Sequence, residues 1–90
     1  MAIGKVGRFE ILHRTVHSGL TYIRVVGSWV NRDGAEALLE GWLLETYPRV
    51  EGFSCDWVKG MMLARNWGEE VVGTAWVWEN PDTEHDGILK

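Results

Sequence analysis

Three histidines, one cysteine and thirteen carboxylates are the side chains of this 90-residue chain most able to do chemistry. Their spacing argues for little of it. His13 and His17 stand four residues apart, which on a helix would aim two imidazoles at one metal ion. The run around them is rich in β-branched residues, however, and on a strand four residues span about 13 Å. One ion cannot bridge that gap, so His13 reads as a hydrogen-bonded member of a buried layer. Cys55 precedes Asp56 and has no helix N-terminus or neighbouring histidine to lower its pKa, which makes it an inert, buried thiol. The glycines at 4, 7, 27, 41, 60 and 73 follow no phosphate-loop spacing. A small enzyme would need a pocket joining Cys55 to His13 or His17. The expectation is a non-enzymatic chain with no cofactor and no metal.

What the chain does offer is contact chemistry. Each of its six tryptophans, Trp29, Trp42, Trp57, Trp67, Trp76 and Trp78, carries about 200 Å² of largely apolar surface. Ninety residues build only one thin core, so part of that surface is expected at a boundary with another molecule. Trp76 and Trp78, two apart on a strand, share a side. The inferred registers gather Arg8, Arg14, Tyr22, Arg24, Trp57, Lys59 and Arg65 with them on one sheet face, a mixture typical of binding hot spots. Arginine stems lying over indoles beneath loops would be the plain alternative. The same mixture could stack single-stranded nucleic acid on aromatic platforms, which is the runner-up reading. Against it stand Glu10, Glu69, Glu70 and Glu79 nearby and a net charge of −4.

A second candidate surface is acidic. Glu36, Glu40 and Glu45 flank a stripe of Ala37, Gly41 and Leu44, and Glu51, Glu79, Asp82, Glu84 and Asp86 continue the charge. Such a set could imitate a phosphate track in another protein's basic cleft, with Leu44 at a desolvatable centre. An ordinary solvated face is the competing explanation.

These surfaces need elements to position them. Residues 6–30 read as a β-hairpin around His17-Ser18-Gly19-Leu20. A three-residue loop at 18–20 pairs Phe9 with Trp29, Ile11 with Gly27, His13 with Val25 and Thr15 with Ile23, collecting apolar residues on one face. That register sets Arg14 opposite Arg24, a repulsive pair. Asp33 and Glu36 resemble a capping box opening a helix from about Gly34 to Tyr47, ended by Pro48. Ala35, Leu38, Leu39, Trp42, Leu43 and Thr46 form its buried stripe.

Residues 56–66 show no clean period, and a helix capped by Asp56 competes with a strand. Pairing favours the strand. With Arg65 opposite Glu70 across a loop of residues 66–69, Val58, Gly60, Met62 and Ala64 face Val77, Ala75, Gly73 and Val71, small residues on which a helix can pack closely. The fold class is α+β, an antiparallel sheet of about four strands in the order ββαββ with one helix on one face. Residues 1–79 form one domain, and 80–90 an acidic, mobile tail.

Charge is polarised along the chain. Residues 1–32 hold five bases against Glu10 alone, a net +4, and residues 33–90 hold twelve acids against four bases, a net −8. The acidic total argues against a general duplex-DNA binder, whose affinity comes mainly from neutralising phosphates, and leaves room for a local basic face. The opening Met-Ala-Ile-Gly-Lys-Val-Gly-Arg lacks the apolar centre of a secretory signal, and no uncharged run approaches the roughly 20 residues of a membrane span. A single cysteine suits a reducing compartment, so a cytoplasmic location is expected.

In brevity, acidity, tryptophan load and lack of catalytic residues, the chain resembles the small phage-encoded anti-defence proteins, of which anti-CRISPR inhibitors are the best-known group. The resemblance implies an inhibitor in the host-cell cytoplasm that binds a nuclease or surveillance complex and blocks its nucleic-acid path. It assigns no functional positions. The partner expected is thus another protein, one that handles nucleic acid, with no membrane involved. Homodimerisation through sheet faces or strand edges is compatible, leaving the acidic helices outward.

Overall fold

The computed structural model describes residues 8–81. Five strands and one α-helix occupy this span: β1 (Phe9–His17), β2 (Leu20–Trp29), α1 (Arg32–Thr46), β3 (Ser54–Val58), β4 (Met61–Arg65) and β5 (Val71–Glu79), with a single 3₁₀ turn at Arg49–Glu51. The strands form one antiparallel sheet in the order β2-β1-β5-β4-β3. The α+β class therefore holds, with five strands in place of about four.

The additional strand comes from residues 54–65. Lys59 and Gly60 both take positive φ, 53° and 84°, the pair of left-handed residues that a tight two-residue hairpin turn requires. Val58 thus pairs with Met61, and the segment read as one strand folds back on itself as β3 and β4. Its missing period has a simple cause, since the turn at 59–60 restarts the alternation of faces.

The first hairpin corrects the expected register. Ser18 (φ 53°) and Gly19 (φ 79°) make a two-residue turn, so His17 pairs with Leu20. Phe9↔Trp29 and Ile11↔Gly27 are as expected, but Leu12 pairs with Val25, and Val26 is left over as a bulge. Beyond the bulge the ladder is displaced by one residue: His13 faces Arg24 rather than Val25, and Thr15 faces Tyr22 rather than Ile23. A one-residue shift exchanges faces. Tyr22 and Arg24 therefore lie on the helix side, while Ile23 and Val25 lie on the outer side. Arg14 sits opposite Ile23, so the expected clash with Arg24 does not arise.

The β4–β5 register departs from the reading by an even step. Met62 pairs with Ala75, Ala64 with Gly73 and Arg65 with Val71, with a bulge at Val72. The even shift at Met62 and Ala64 keeps the small inner surface of Ala64, Gly73 and Ala75, whereas the bulge sets Val71 against Arg65 and takes it off the inner face where it was expected. The intervening loop is built on Asn66, whose Oδ1 accepts hydrogen bonds from Gly68 N at 2.9 Å and Glu70 N at 3.0 Å.

Helix α1 begins two residues earlier than expected. Asn31, in extended backbone, is the N-cap, and its Oδ1 accepts from Gly34 N at 2.7 Å. Asp33 sits in the first turn, where its charge suits the helix dipole. Trp29 closes over this end, and its indole leaves no room for a side chain at Gly34. The helix stops at Tyr47, held out of helical geometry by Pro48. Ala35, Leu39 and Leu43 of the helix bury against Ile11, Met62, Ala64, Ala75 and Val77 of the sheet. Leu38 and Thr46, at the margins of the predicted stripe, are exposed, and Trp42 is half-buried.

The chain is tied to residue 80. Asn80 N donates to Arg8 O at 2.8 Å, its side-chain amide donates to Glu10 Oε1 at 2.9 Å, and Arg8 pairs with Glu79. The rest of the segment read as an acidic tail, 82–90, lies outside the described residues.

Candidate protein-binding face

Strand alternation and one helix create the site. The helix covers the inner face of the sheet, where Gly73, Ala75 and Ala64 are small enough to let it approach. On β5 the positions between them are Thr74, Trp76 and Trp78, which alternation turns to the other side. Their neighbours there are Leu12 and Arg14 of β1, Ile23 and Val25 of β2, and Met61 and Leu63 of β4. Among the described residues, no element covers this outer face. Ile23 is 54% exposed, Val25 51%, Met61 39% and Trp78 41%. Exposed apolar patches are where proteins commonly meet other molecules, which makes this face the candidate site.

Across the centre of the face lies an open hollow of about 640 Å³, lined by Met61, Leu63, Val71, Thr74, Trp76 and, as its charged member, Arg14. Trp78 borders it on β5, and its Nε1 donates to Glu10 Oε1 at 3.0 Å. That carboxylate oxygen also takes the Asn80 amide. Glu10 thus orients an indole and fastens the end of β5, which removes it from the role of a loose surface acid. The face also carries Arg65 and, on β3, Asp56, so its two cations and two carboxylates balance around an apolar middle.

The residues expected to share one surface divide between two. Arg14, Arg65, Trp76 and Trp78 lie on the outer face. Tyr22, Arg24 and Trp57 lie on the helix side, since they pair with Thr15, His13 and Met62 there. Lys59 occupies the β3–β4 turn. Ile23 and Val25 take the places foreseen for Tyr22 and Arg24, which makes the face more apolar and less basic. The Ser-Gly dipeptide at 18–19, a two-residue turn signal, could have revealed this, because such a turn forces a bulge if Phe9 is still to meet Trp29. None of the six tryptophans is buried: Trp42 and Trp76 are half-buried, and the other four are exposed.

On α1, Glu40, Leu44 and Glu45 are exposed and Glu36 is half-buried, with Ala37 and Gly41 open to solvent between them. This acidic side points away from the sheet. It is a separate surface from the aromatic one.

His13 and Cys55 flank Tyr47. His13 is 6% exposed; its Nε2 and Tyr47 Oη share a hydrogen bond at 2.8 Å, and its ring meets Trp42 edge-on at 4.8 Å. Burial, with the Arg24 cation adding to it, holds the His13 pKa below its usual value. Burial likewise raises the Tyr47 hydroxyl, helped by Cys55. The Cys55 thiol lies 4.0 Å from Tyr47 O, and burial followed by the Asp56 charge pushes its pKa up. A thiol held protonated is a poor nucleophile. The hollow beside Cys55 is lined by Tyr47, Arg49, Phe53 and Asp56 without a histidine. The one lined by His17 contains no cysteine. Among the described residues no three His, Cys, Asp or Glu side chains converge where a metal ion could bind, and no helix is long and apolar enough to cross a membrane.

Comparison with protein-family models, curated proteins and solved structures gives no match to this chain. The functional reading therefore rests on the geometry of the two faces.

Proposed function

We propose that this protein is a non-enzymatic binding module that docks through its outer sheet face on a larger protein, one that handles nucleic acid, and inhibits it. The observation carrying this reading is the uncovered apolar face of a sheet whose other face already holds the core. Trp76 and Trp78 are its anchors, with Met61, Leu63 and Ile23 excluding water around them. Arg14 at the hollow selects an acidic or carbonyl-rich contact. The exposed acids Glu40 and Glu45 of α1 steer the molecule toward a basic partner surface and raise the association rate. Direct nucleic-acid binding is less favoured, since Arg24 and Lys59 leave the face and Glu10 and Asp56 sit on it.

Affinity capture from the native host tests this reading. Wild-type protein should retain a partner that Trp76→Ala combined with Trp78→Ala loses, each anchor contributing about 2 kcal/mol or more. Met61→Lys, on an exposed side chain, should weaken capture without unfolding the chain. Equal capture by wild type and both variants would refute the reading. So would tight binding of single-stranded oligonucleotide that falls steeply with salt.

A further inference from the structure

We propose that β2 pairs antiparallel with β2 of a second copy, about a twofold axis at Ile23, joining two sheets into one of ten strands. This inference is independent of the outer-face reading, because it concerns the backbone edge of the sheet.

The turn at Ser18-Gly19 makes His17 and Leu20 its closing pair, the residues that exchange N–H and C=O across a two-residue hairpin. Alternation from there directs the backbone groups of Leu20, Tyr22 and Arg24 at β1. Those of Thr21, Ile23 and Val25 point away, into the open edge. Every residue from Leu20 to Val25 is exposed. The stretch holds a single charge and no proline, so none of the usual devices that blunt an edge operates before the bulge at Val26. The other edge strand, β3, is only five residues long. Counted from its own closing pair, Val58↔Met61, it turns outward only at Cys55 and Trp57.

The outward residues of β2 are self-complementary about one axis. Centring the pair on Ile23 sets Ile23 against Ile23 of the second copy and Thr21 against Val25 twice, so all six outward N–H groups find carbonyls. On the helix side the same register lays Arg24 against Tyr22 of the other copy, twice, a cation over an aromatic face with no like charges opposed. Centring on Tyr22 would make only four of these bonds and set Leu20 against Arg24. The Ile23-centred pairing is isologous and closes, leaving neither copy with an unpaired β2 edge.

Sedimentation equilibrium of the full chain across a wide concentration range is the test. Wild type should move from the chain mass to twice that mass as concentration rises. Ile23→Pro removes an N–H that faces no acceptor among the described residues, so circular dichroism should stay native while the dimer dissociation constant rises at least tenfold. Should the proline variant unfold, semisynthetic N-methylation of Ile23 makes the same deletion with the side chain retained. Met61→Lys, on the outer face, should leave dimerisation unchanged. A monomer at every concentration overturns the proposal, as does a dimer that survives the backbone deletion or is broken by Met61→Lys.

Discussion

Gly73 is where the helix side of the sheet is tightest, and Gly73→Ala tests the packing directly. A Cβ there would stand 2.8 Å from Tyr47 Cζ and 3.0 Å from His13 Nε2, and closer still to Tyr47 Oη. Tyr47 cannot simply swing aside, because its ring also meets Phe53 edge-on at 5.4 Å. Forcing it out costs about 1–3 kcal/mol of overpacking, and losing its bond to His13 about 1 kcal/mol more. Opposing this, alanine restricts the unfolded chain and returns about 0.4–1 kcal/mol where the backbone tolerates it. The balance is a loss of about 2 kcal/mol, which in a domain of this size lowers Tm by about 8–16 °C. Urea and thermal melts measure it. Tyr47→Phe removes the oxygen nearest the new methyl, so in that background the same substitution should cost clearly less, a coupling that a double-mutant cycle isolates. A neutral or stabilising Gly73→Ala would refute the placement of Tyr47 against β5.

Two further predictions concern titration and capping. Because burial lowers the His13 pKa in the folded state, the unfolded chain takes up this proton first as pH falls. Stability is then complete above about pH 6.5 and declines below it, down to the folded-state pKa; His13→Gln, which still offers Tyr47 a partner, should flatten that slope in urea titrations, and an unchanged slope would show that His13 is not the group responsible. Asn31→Ala should cost about 0.5–2 kcal/mol as the loss of an N-cap, and Asp33→Ala only a few tenths, with the reverse order in urea melts refuting the observed cap.

What the sequence made legible, and what it hid, follows from how each feature is encoded. The helix is written in side-chain period, so Ala35, Leu39 and Leu43 were readable as its buried line. Trp29 opposite Phe9 and the small inner surface of Ala64, Gly73 and Ala75 were readable from alternation. The two bulges leave no mark in residue type, because each leaves over a valine, Val26 or Val72, that differs in no way from the strand residues around it; only the Ser18-Gly19 turn signal, taken with Phe9 facing Trp29, pointed to the first. The Val26 bulge alone moved Tyr22 and Arg24 off the outer face. Lys59-Gly60 was a turn signal of modest strength set inside an apolar run, and passing over it merged β3 with β4. The candidate site was therefore half legible. Trp76, Trp78 and Arg14 followed from parity on strands read correctly and Arg65 from parity on a strand read too long, whereas Ile23 and Val25 depended on the bulge.

The apolar outer face has a cause in the core itself. In a two-layer α+β domain with a solvated sheet surface, the large apolar residues belong beneath the helix and polar ones outside. Strand β5 reverses this, placing Gly73 and Ala75 inside with Trp76 and Trp78 outside. Small inner residues on β5 let Leu39 and Leu43 come close enough to be sealed completely, and an indole at Gly73 or Ala75 would hold the helix away. The two indoles of β5 therefore take the outer side. Trp78, at 41% exposure, keeps about 80 Å² in water, worth about 2 kcal/mol if another surface covered it. With Ile23, Val25 and Met61 similarly open, the sheet carries the residues of a middle layer while the described residues supply only one of the two layers that would flank it. A docked protein in that third position is the arrangement that would account for this distribution, and the acidic side of α1, on the opposite surface, would stay free to act with it.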